Sequence, residues 1–501
     1  HTIHYTFRMK INPSAVLLMA APLRAKAFTQ LKHSARHTRI PLAMVSSTAN
    51  ALLEQDNLPN FASIEPDQLS PAVSQLVEKL EKDFTSFESN ISSHSYSPQY
   101  DDILPELEKM QFPLGYVWGV AGHLNGVKNS DELRTAYESA QPSVVTTMSK
   151  FSQSRPLFEA LSAIEKEWGS ADEADDFHTQ QKRRAVENNL RAMKLGGVGL
   201  EGDAKERFNE IKLRLAEIST AFSNNVLDTT KAFHLDVENP DDLENVPTSA
   251  KAMWANNYAT ATSTDESKVE ADVENGPWRI TLDMPSYIPA LTHIPNREIR
   301  EKVYKASLTR ASEFTKTTDD SDKNNVPLIY EILKLKKERA EMLSFEHAAE
   351  MSLASKMAPS VDSVVDLSNL ILEKALPAAL RELDEITALA RTRGGDEYTE
   401  ENLEKLMSWD MSFWSERLKE SKFDLKEEEL RPYFALPQVL DGMFSLVERL
   451  FNIEVKKADG ETEVWNEDVG FFNVYDVDSK EKIASFYLDP YSRPADKRCV
   501  I

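Results

Sequence analysis

At 501 residues, the chain exceeds what one hydrophobic core organises, so two or three domains are expected. Hydrophobic residues at 41% and charged residues at 28% suit a globular chain, while only 15 glycines argue against phosphate loops, propellers and hairpin-dense sandwiches. The single cysteine, Cys499, excludes a disulfide framework or a cysteine-based zinc site, and the net charge of −24 argues against a polyanionic partner.

Residues 1–53 contain seven Lys or Arg (Arg8, Lys10, Arg24, Lys26, Lys32, Arg36 and Arg39) and no Asp or Glu. Such a basic, acid-free, Ser/Thr-dotted start reads as a targeting leader, removed before the body folds. The apolar run Ala15–Leu23 and the A-x-A pattern Ala25-Lys26-Ala27 before Phe28 resemble the two-part leader of proteins imported into plastids. A mitochondrial presequence fits nearly as well, and a cytoplasmic protein with a basic tail is the alternative. Ala15–Leu23 is nine residues long, short of the ~20 that a membrane helix needs. His33 and His37 have the i,i+4 spacing of two ligands on one helix face. Ser34 stands where a zinc peptidase needs Glu, so the pair is read as coincidence. Without the leader, 51 basic residues face 82 acidic ones, a charge near −31 that repels nucleic acid.

The body reads as helix after helix. Ser70-Pro71 predicts a helix cap and a first-position proline before the stripe Ala72, Val73, Leu76, Val77, Leu80 and Phe84, and Leu114, Val117, Trp118, Ala121 and Leu124 repeat it. Val186, Leu190 and Met193 lead through Leu195-Gly196-Gly197-Val198-Gly199-Leu200 into Phe208, Ile211, Leu215, Ile218, Phe222 and Val226. Two stripes across a short glycine turn predict an antiparallel helical hairpin. The glycines are no phosphate loop, because that motif must follow a strand. Residues 235–276 read as a polar, acidic loop region, followed by a strand candidate at Trp278–Leu282. Helices resume at Arg297–Ser312, Leu328–Leu343, Val361–Ala390 and Gln438–Phe451, and Phe471–Tyr475 with Ile483–Leu488 predict a β-hairpin. The expected fold is mainly α with a small late sheet.

The residues alone name no reaction. His94, His123, His178, His234, His293 and His347 are isolated in sequence, and no H-E-x-x-H occurs. That motif works by placing two imidazoles on one helix face while the Glu takes a proton from metal-bound water. Gly-x-Ser-x-Gly, the Walker loop and the Rossmann fingerprint are absent too. His123 reads as a structural histidine, His347 as helix surface, and Glu427-Glu428-Glu429 as a solvated first turn.

Several blocks nevertheless resemble one family in order. They include Gly122-His123-Leu124-Asn125-Gly126-Val127-Lys128-Asn129-Ser130 with Leu133-Arg134, and Leu190–Leu200 running on to Phe222-Ser223-Asn224-Asn225-Val226-Leu227-Asp228. Asp283-Met284-Pro285-Ser286-Tyr287, Arg297–Arg310, Glu338–Leu343 and Ser352–Ala358 follow. Trp409–Leu418 is the strongest, continued by Leu430–Phe434, Val439–Phe444 and Ser485–Asp489. Over roughly residues 57–495 the chain resembles an oligopeptidase A-like member of the thimet oligopeptidase family of zinc metallopeptidases.

The resemblance implies an elongated, almost all-helical, two-lobed fold around a channel, usually monomeric, that admits short unfolded peptides to a zinc centre. In the family two histidines and a downstream Glu hold the zinc, and the motif Glu is the general base. No position here corresponds to any of them, so no catalytic or metal residue is assigned and substrate-binding residues stay unassigned. Asn452, where Gly is usual after Leu450-Phe451, and Pro490 are smaller departures. The expected organisation is a leader at 1–53, helical hairpins at 54–234, the acidic loop region at 235–276, and the beginning of the catalytic region at 277–501. Two readings follow: a peptidase cut short before its zinc motif and inactive alone, or a non-catalytic helical protein that binds peptides or a partner. On both, the resemblance places the late hairpin under catalytic helices that are missing here, so Phe472, Ile483, Phe486 and Leu488 are expected to be exposed.

Overall fold

The computed structural model describes residues 50–93, 98–169, 176–264, 267–315, 322–401 and 405–498. His33, His37, His94, Cys499 and the leader up to residue 49 lie outside the described residues. Ala51 and Leu52, at the end of the leader span, are packed into the body: Leu52 is 1% exposed, and Asn50 Nδ2 donates to the Gln68 carbonyl at 2.7 Å.

Amphipathic stripes set the first helices. Leu69–Ile91 (α1) buries Ala72, Val73, Leu76, Leu80 and Phe84 against Tyr100–Val127 (α2) and Asp131–Ser152 (α3). Ser70-Pro71 does not open α1. The helix starts one residue earlier, behind the 3-10 turn Pro66–Gln68, where the Gln68 side chain accepts from the Glu65 N–H at 3.2 Å. Pro71 then sits in the first turn, where no N–H needs an intrahelical partner. Side-chain caps begin the next helices. Ser130 accepts from the Leu133 N–H at the head of α3, and Ser154 does the same for Leu157 in Arg155–Trp168 (α4). Phe177–Leu195 (α5) and Gly202–Ala232 (α6) form the predicted hairpin. Gly196 is required at its turn, because a Cβ there would lie 2.8 Å from the Ser152 Cβ.

The segment 235–276 is not all loop. Leu235–Val237 (β1) pairs antiparallel with Trp278–Ile280 (β2), and Thr248–Thr262 (α7) packs over that pair. Its buried face is Trp254 with Ala250, Ala255 and Ala259, alanines whose helical spacing is masked in sequence by the threonines and asparagines around them. Ala250 and Ala255, with Leu243, Leu282, Ala290 and Ile294 from the flanking turns and Met284–His293 (α8), pack around Trp254 and Trp278. Gly276, at φ +74°, leads into β2, and a Cβ on it would lie 2.6 Å from the Trp278 ring.

Arg297–Leu308 (α9), Val326–Met342 (α10), Ala348–Leu353 (α11), Val361–Arg393 (α12), Ser408–Phe423 (α13), Glu427–Leu430 (α14) and Leu436–Phe451 (α15) complete the helices. Glu428 and Glu429 of α14 are exposed, with Glu428 3.5 Å from Arg431. A core of Ile386, Ala390, Tyr398, Phe413 and Trp414 joins α12 to α13, and no described helix is long and apolar enough to cross a membrane. Val439–Glu461 and Gly470–Leu488 form one compact unit, and the other described residues form a second.

In the smaller unit the hairpin gains a third strand, Ile453–Lys457 (β3), which pairs with Gly470–Asp476 (β4), itself paired with Lys482–Leu488 (β5). The expected exposure of the hairpin is corrected in part. Ile483 is 50% exposed, but Phe472 is 8% exposed, because it stacks on Phe486 at 5.1 Å and Phe444 of α15 covers both rings.

One buried hydroxyl sustains the α7–β2–α8 core. Ser286 Oγ accepts from the Trp254 indole at 2.9 Å and from the Thr281 N–H at 2.9 Å, and Ser286 and Trp254 have no exposed surface. Ser286→Ala strands two donors and is expected to lower stability by about 2 kcal/mol, read as the midpoint shift in urea unfolding. A midpoint equal to that of the parent chain contradicts this assignment.

Candidate functional site

The histidines do not converge. His123, on α2, packs its ring against Trp465 at 4.2 Å and Phe61 at 5.5 Å. Burial pushes its pKa down against the pull of Asp489, which favours the neutral ring in this aromatic seat. His178 lies in the first turn of α5 beside Phe177, and His234 is exposed. His293 ends α8, and its carbonyl accepts from Arg417 at 3.4 Å. His347 does more than line a surface: its Nδ1 accepts from the Glu350 N–H at 3.2 Å and caps α11. Among the described residues no group of three or more His, Cys, Asp or Glu side chains is placed to hold a metal ion. The described residues do not fit a zinc ion, so no metal-dependent step is derived from them.

What the fold does bring together is polar and structural. Asn129 donates to the Asn125 side chain at 2.8 Å and accepts from Arg134 Nε at 2.7 Å. Arg134 reaches Asp228 at 2.7 Å, and Lys323 holds the other Asp228 oxygen at 2.9 Å. Burial pushes the Asp228 carboxyl up, but Lys323 and Arg134 outweigh it and hold the group below the usual carboxylate range. Residues 489–498 fold back onto the same place. Asn129 N–H donates to the Asp496 carbonyl, Arg498 N–H to the Gly126 carbonyl, both at 2.8 Å, and Arg498 Nη2 donates to Asn224 at 2.6 Å. Asp489 is itself clasped by Arg493 at 2.7 Å, Lys497 at 3.0 Å and the Trp465 indole at 3.0 Å.

A second network joins α9, α13 and Tyr398. The Asp410 side chain has no exposed surface and takes Arg297 in two-pronged fashion, Nε to Oδ1 at 3.0 Å and Nη2 to Oδ2 at 2.8 Å. Tyr398 Oη donates to Oδ1 at 2.9 Å, and the Met407 N–H to Oδ2 at 3.1 Å. Arg300, also without exposed surface, donates to Asp410, the Tyr398 hydroxyl, and the carbonyls of Ile294, Pro295 and Trp409 at 2.8–3.1 Å. Sequence inspection missed this hub. Asp410 lies inside the strongest resemblance block, and its partner Arg297 is 113 residues away.

A cleft of about 740 Å³ lies between α1, α3 and α6, lined by Glu81, Phe84, Glu88, Lys150, Arg155 and Lys205 among others. Three of its acids are engaged: Glu81 by Thr147 at 2.9 Å and Lys150 at 2.7 Å, Glu88 by the Ser154 hydroxyl, and Glu210 by Arg207 at 2.9 Å. The networks among the described residues position helices.

Burial alone raises the Asp410 pKa, yet Arg297, the Met407 N–H and Tyr398 together hold it below the usual range. A carboxyl depressed in the folded state stabilises fully above its unfolded value, and that stability is lost as pH falls through the folded value. Thermal stability is therefore expected to decline between about pH 5 and pH 2, and Asp410→Asn to flatten part of that slope. At neutral pH the same substitution leaves Arg300 short of its counter-charge and is expected to cost about 3–5 kcal/mol. Parallel denaturation curves of the two proteins at each pH check both statements.

Comparison with known proteins places these networks. Residues 290–498 match peptidase family M3, and residues 73–205 match the Neurolysin/Thimet oligopeptidase N-terminal domain. The chain is 38% identical over 453 residues to Organellar oligopeptidase A, chloroplastic/mitochondrial, of Arabidopsis thaliana, covering 90% of this chain and 53% of that protein. It is 38% identical over 453 residues to Probable cytosolic oligopeptidase A of the same plant, covering 90% and 60%. With Oligopeptidase A of Haemophilus influenzae it shares 36% over 447 residues, covering 89% and 61%. The chain thus spans 53–61% of the length of these relatives. Arg297, Arg300, Tyr398 and Asp410 fall in the first match, and Asn125, Asn129 and Arg134 in the second. With both matches in the order that the resemblance blocks require, the chain belongs to the thimet oligopeptidase family, peptidase family M3, as an oligopeptidase A-like member.

Proposed function

We propose that the whole protein is a zinc-dependent oligopeptidase that hydrolyses short unfolded peptides, and that this chain supplies its helical scaffold rather than its metal centre. The observation that carries the reading is the ordered pair of family matches, supported by relatives named as oligopeptidases. On this reading the metal chemistry belongs to other residues of the whole protein, in keeping with the lack of an H-E-x-x-H among these 501. Zinc bound there would lower the pKa of its water and polarise the scissile carbonyl. The part played by the present residues is to hold helices in register through Asp410 and Asp228.

The test joins this chain to the remainder of Organellar oligopeptidase A beyond the matched region and first verifies folding by circular dichroism and gel filtration. The fusion is expected to cleave a short quenched peptide and to lose that activity to a zinc chelator, while the 501-residue chain alone shows no zinc-dependent cleavage. A folded but inactive fusion, or zinc-dependent cleavage by the chain alone, contradicts the proposal.

For location, the reading is organellar import directed by the basic leader, with the cytoplasm as the alternative; the two plant relatives carry one name of each kind. Residues 1–53 fused to a fluorescent protein are expected to move it into plastids or mitochondria, and diffuse cytosolic signal would contradict import.

A further inference from the structure

Acids outnumber bases in this chain by 82 to 58, which makes one local excess of positive charge informative. A surface pocket of about 1060 Å³ is lined by Arg184, Arg191, Lys212 and Lys356, with no carboxylate in its lining. Arg184, Asn188 and Arg191 come from one face of α5 at i, i+4 and i+7 spacing, Lys212 from α6, and Lys356 from the turn after α11. Leu195 and the fully exposed Met357 add apolar surface beside them.

These cations are poorly engaged by the protein itself. Among the described residues Arg184 and Lys212 have no ion-pair partner. Arg191 reaches only the Asn188 side chain, at 3.5 Å, and Lys356 only the Ser352 hydroxyl, at 2.7 Å. Arg339 lies close enough to Lys212 for the two charges to repel, and among the described residues its buried Nε has no hydrogen-bond partner. Burial, then Arg339, push the Lys212 pKa down. Like charges gathered without a counter-ion destabilise one another, and an anion relieves all of them at once. The chain's overall negative charge does not cancel this, since exposed charges beyond a Debye length of about 8 Å are largely screened at physiological salt.

We propose that this pocket, formed by α5, α6 and the turn after α11, is a binding site for a small phosphate-type anion of two or more charges. The cluster of guanidinium and ammonium donors recognises the oxyanion, and Leu195 and Met357 offer apolar contact to an organic group attached to it. The proposal is independent of the peptidase reading, because it concerns residues of this chain alone.

The test is calorimetric titration of the full chain at low ionic strength with two probes, pyrophosphate and a nucleoside diphosphate without metal. Pyrophosphate is expected to bind with a dissociation constant below about 1 mM, more weakly as salt rises. Arg191→Gln combined with Lys356→Gln, both exposed positions, is expected to weaken it about tenfold with an unchanged circular dichroism spectrum. Lys212→Met is a second variant, expected to weaken binding by a similar factor. Equal affinity for both probes assigns recognition to the phosphates alone, and tighter binding of the nucleotide adds the apolar surface; both results support the site. Absence of saturable binding, or binding of equal strength in parent and variants, overturns it.

Discussion

Two ionised side chains without solvent exposure, Arg300 and Asp410, hold the matched M3 region in register. Taking each out of water costs several kcal/mol, and their attraction repays this only if the remaining donors and acceptors are also satisfied. Here they are satisfied. Arg300 takes carbonyls from the turn before α9 and from Trp409, Tyr398 bridges the two charges, and Arg297 closes the other side of Asp410. Displacing α13 relative to α9 breaks several charged hydrogen bonds together rather than one. The consequence is a unique relative placement of those helices, which apolar packing of Phe413 and Trp414 alone would fix less sharply.

The Asn129–Arg134–Asp228–Lys323 network performs the same service where α2 passes into α3 and meets α6, and residues 489–498 lock onto it through backbone bonds. This gives the resemblance blocks a physical meaning. Asn125, Asn129, Arg134, Asn224, Asp228, Arg297 and Asp410 are conspicuous polar letters in those blocks, and they are the nodes at which distant segments meet. Their common role is to define helix positions.

Periodicity made the long helices legible. The stripe Ala72–Phe84 and the paired stripes around Gly196-Gly197 correspond to buried faces, because each repeats apolar residues every three or four positions. It failed at Thr248–Thr262, whose buried side consists mainly of alanines among threonines and asparagines, and at Ile453–Lys457, a strand with only two apolar residues. The start of α1 was misplaced because proline is accepted throughout the first turn. The ion networks could not be read at all: spacing along the chain says nothing of partners 94 or 113 residues apart, so Arg134–Asp228 and Arg297–Asp410 emerge only from the fold.

On the proposed function these residues build a scaffold, and among the described ones no His, Cys, Asp or Glu group is placed to hold a metal ion. Equilibrium dialysis of the purified 501-residue chain against micromolar zinc tests that reading most directly. The account predicts no stoichiometric retention of zinc, with an unfolding curve unchanged by the metal. One tightly held zinc ion per chain that stabilises the fold would contradict it.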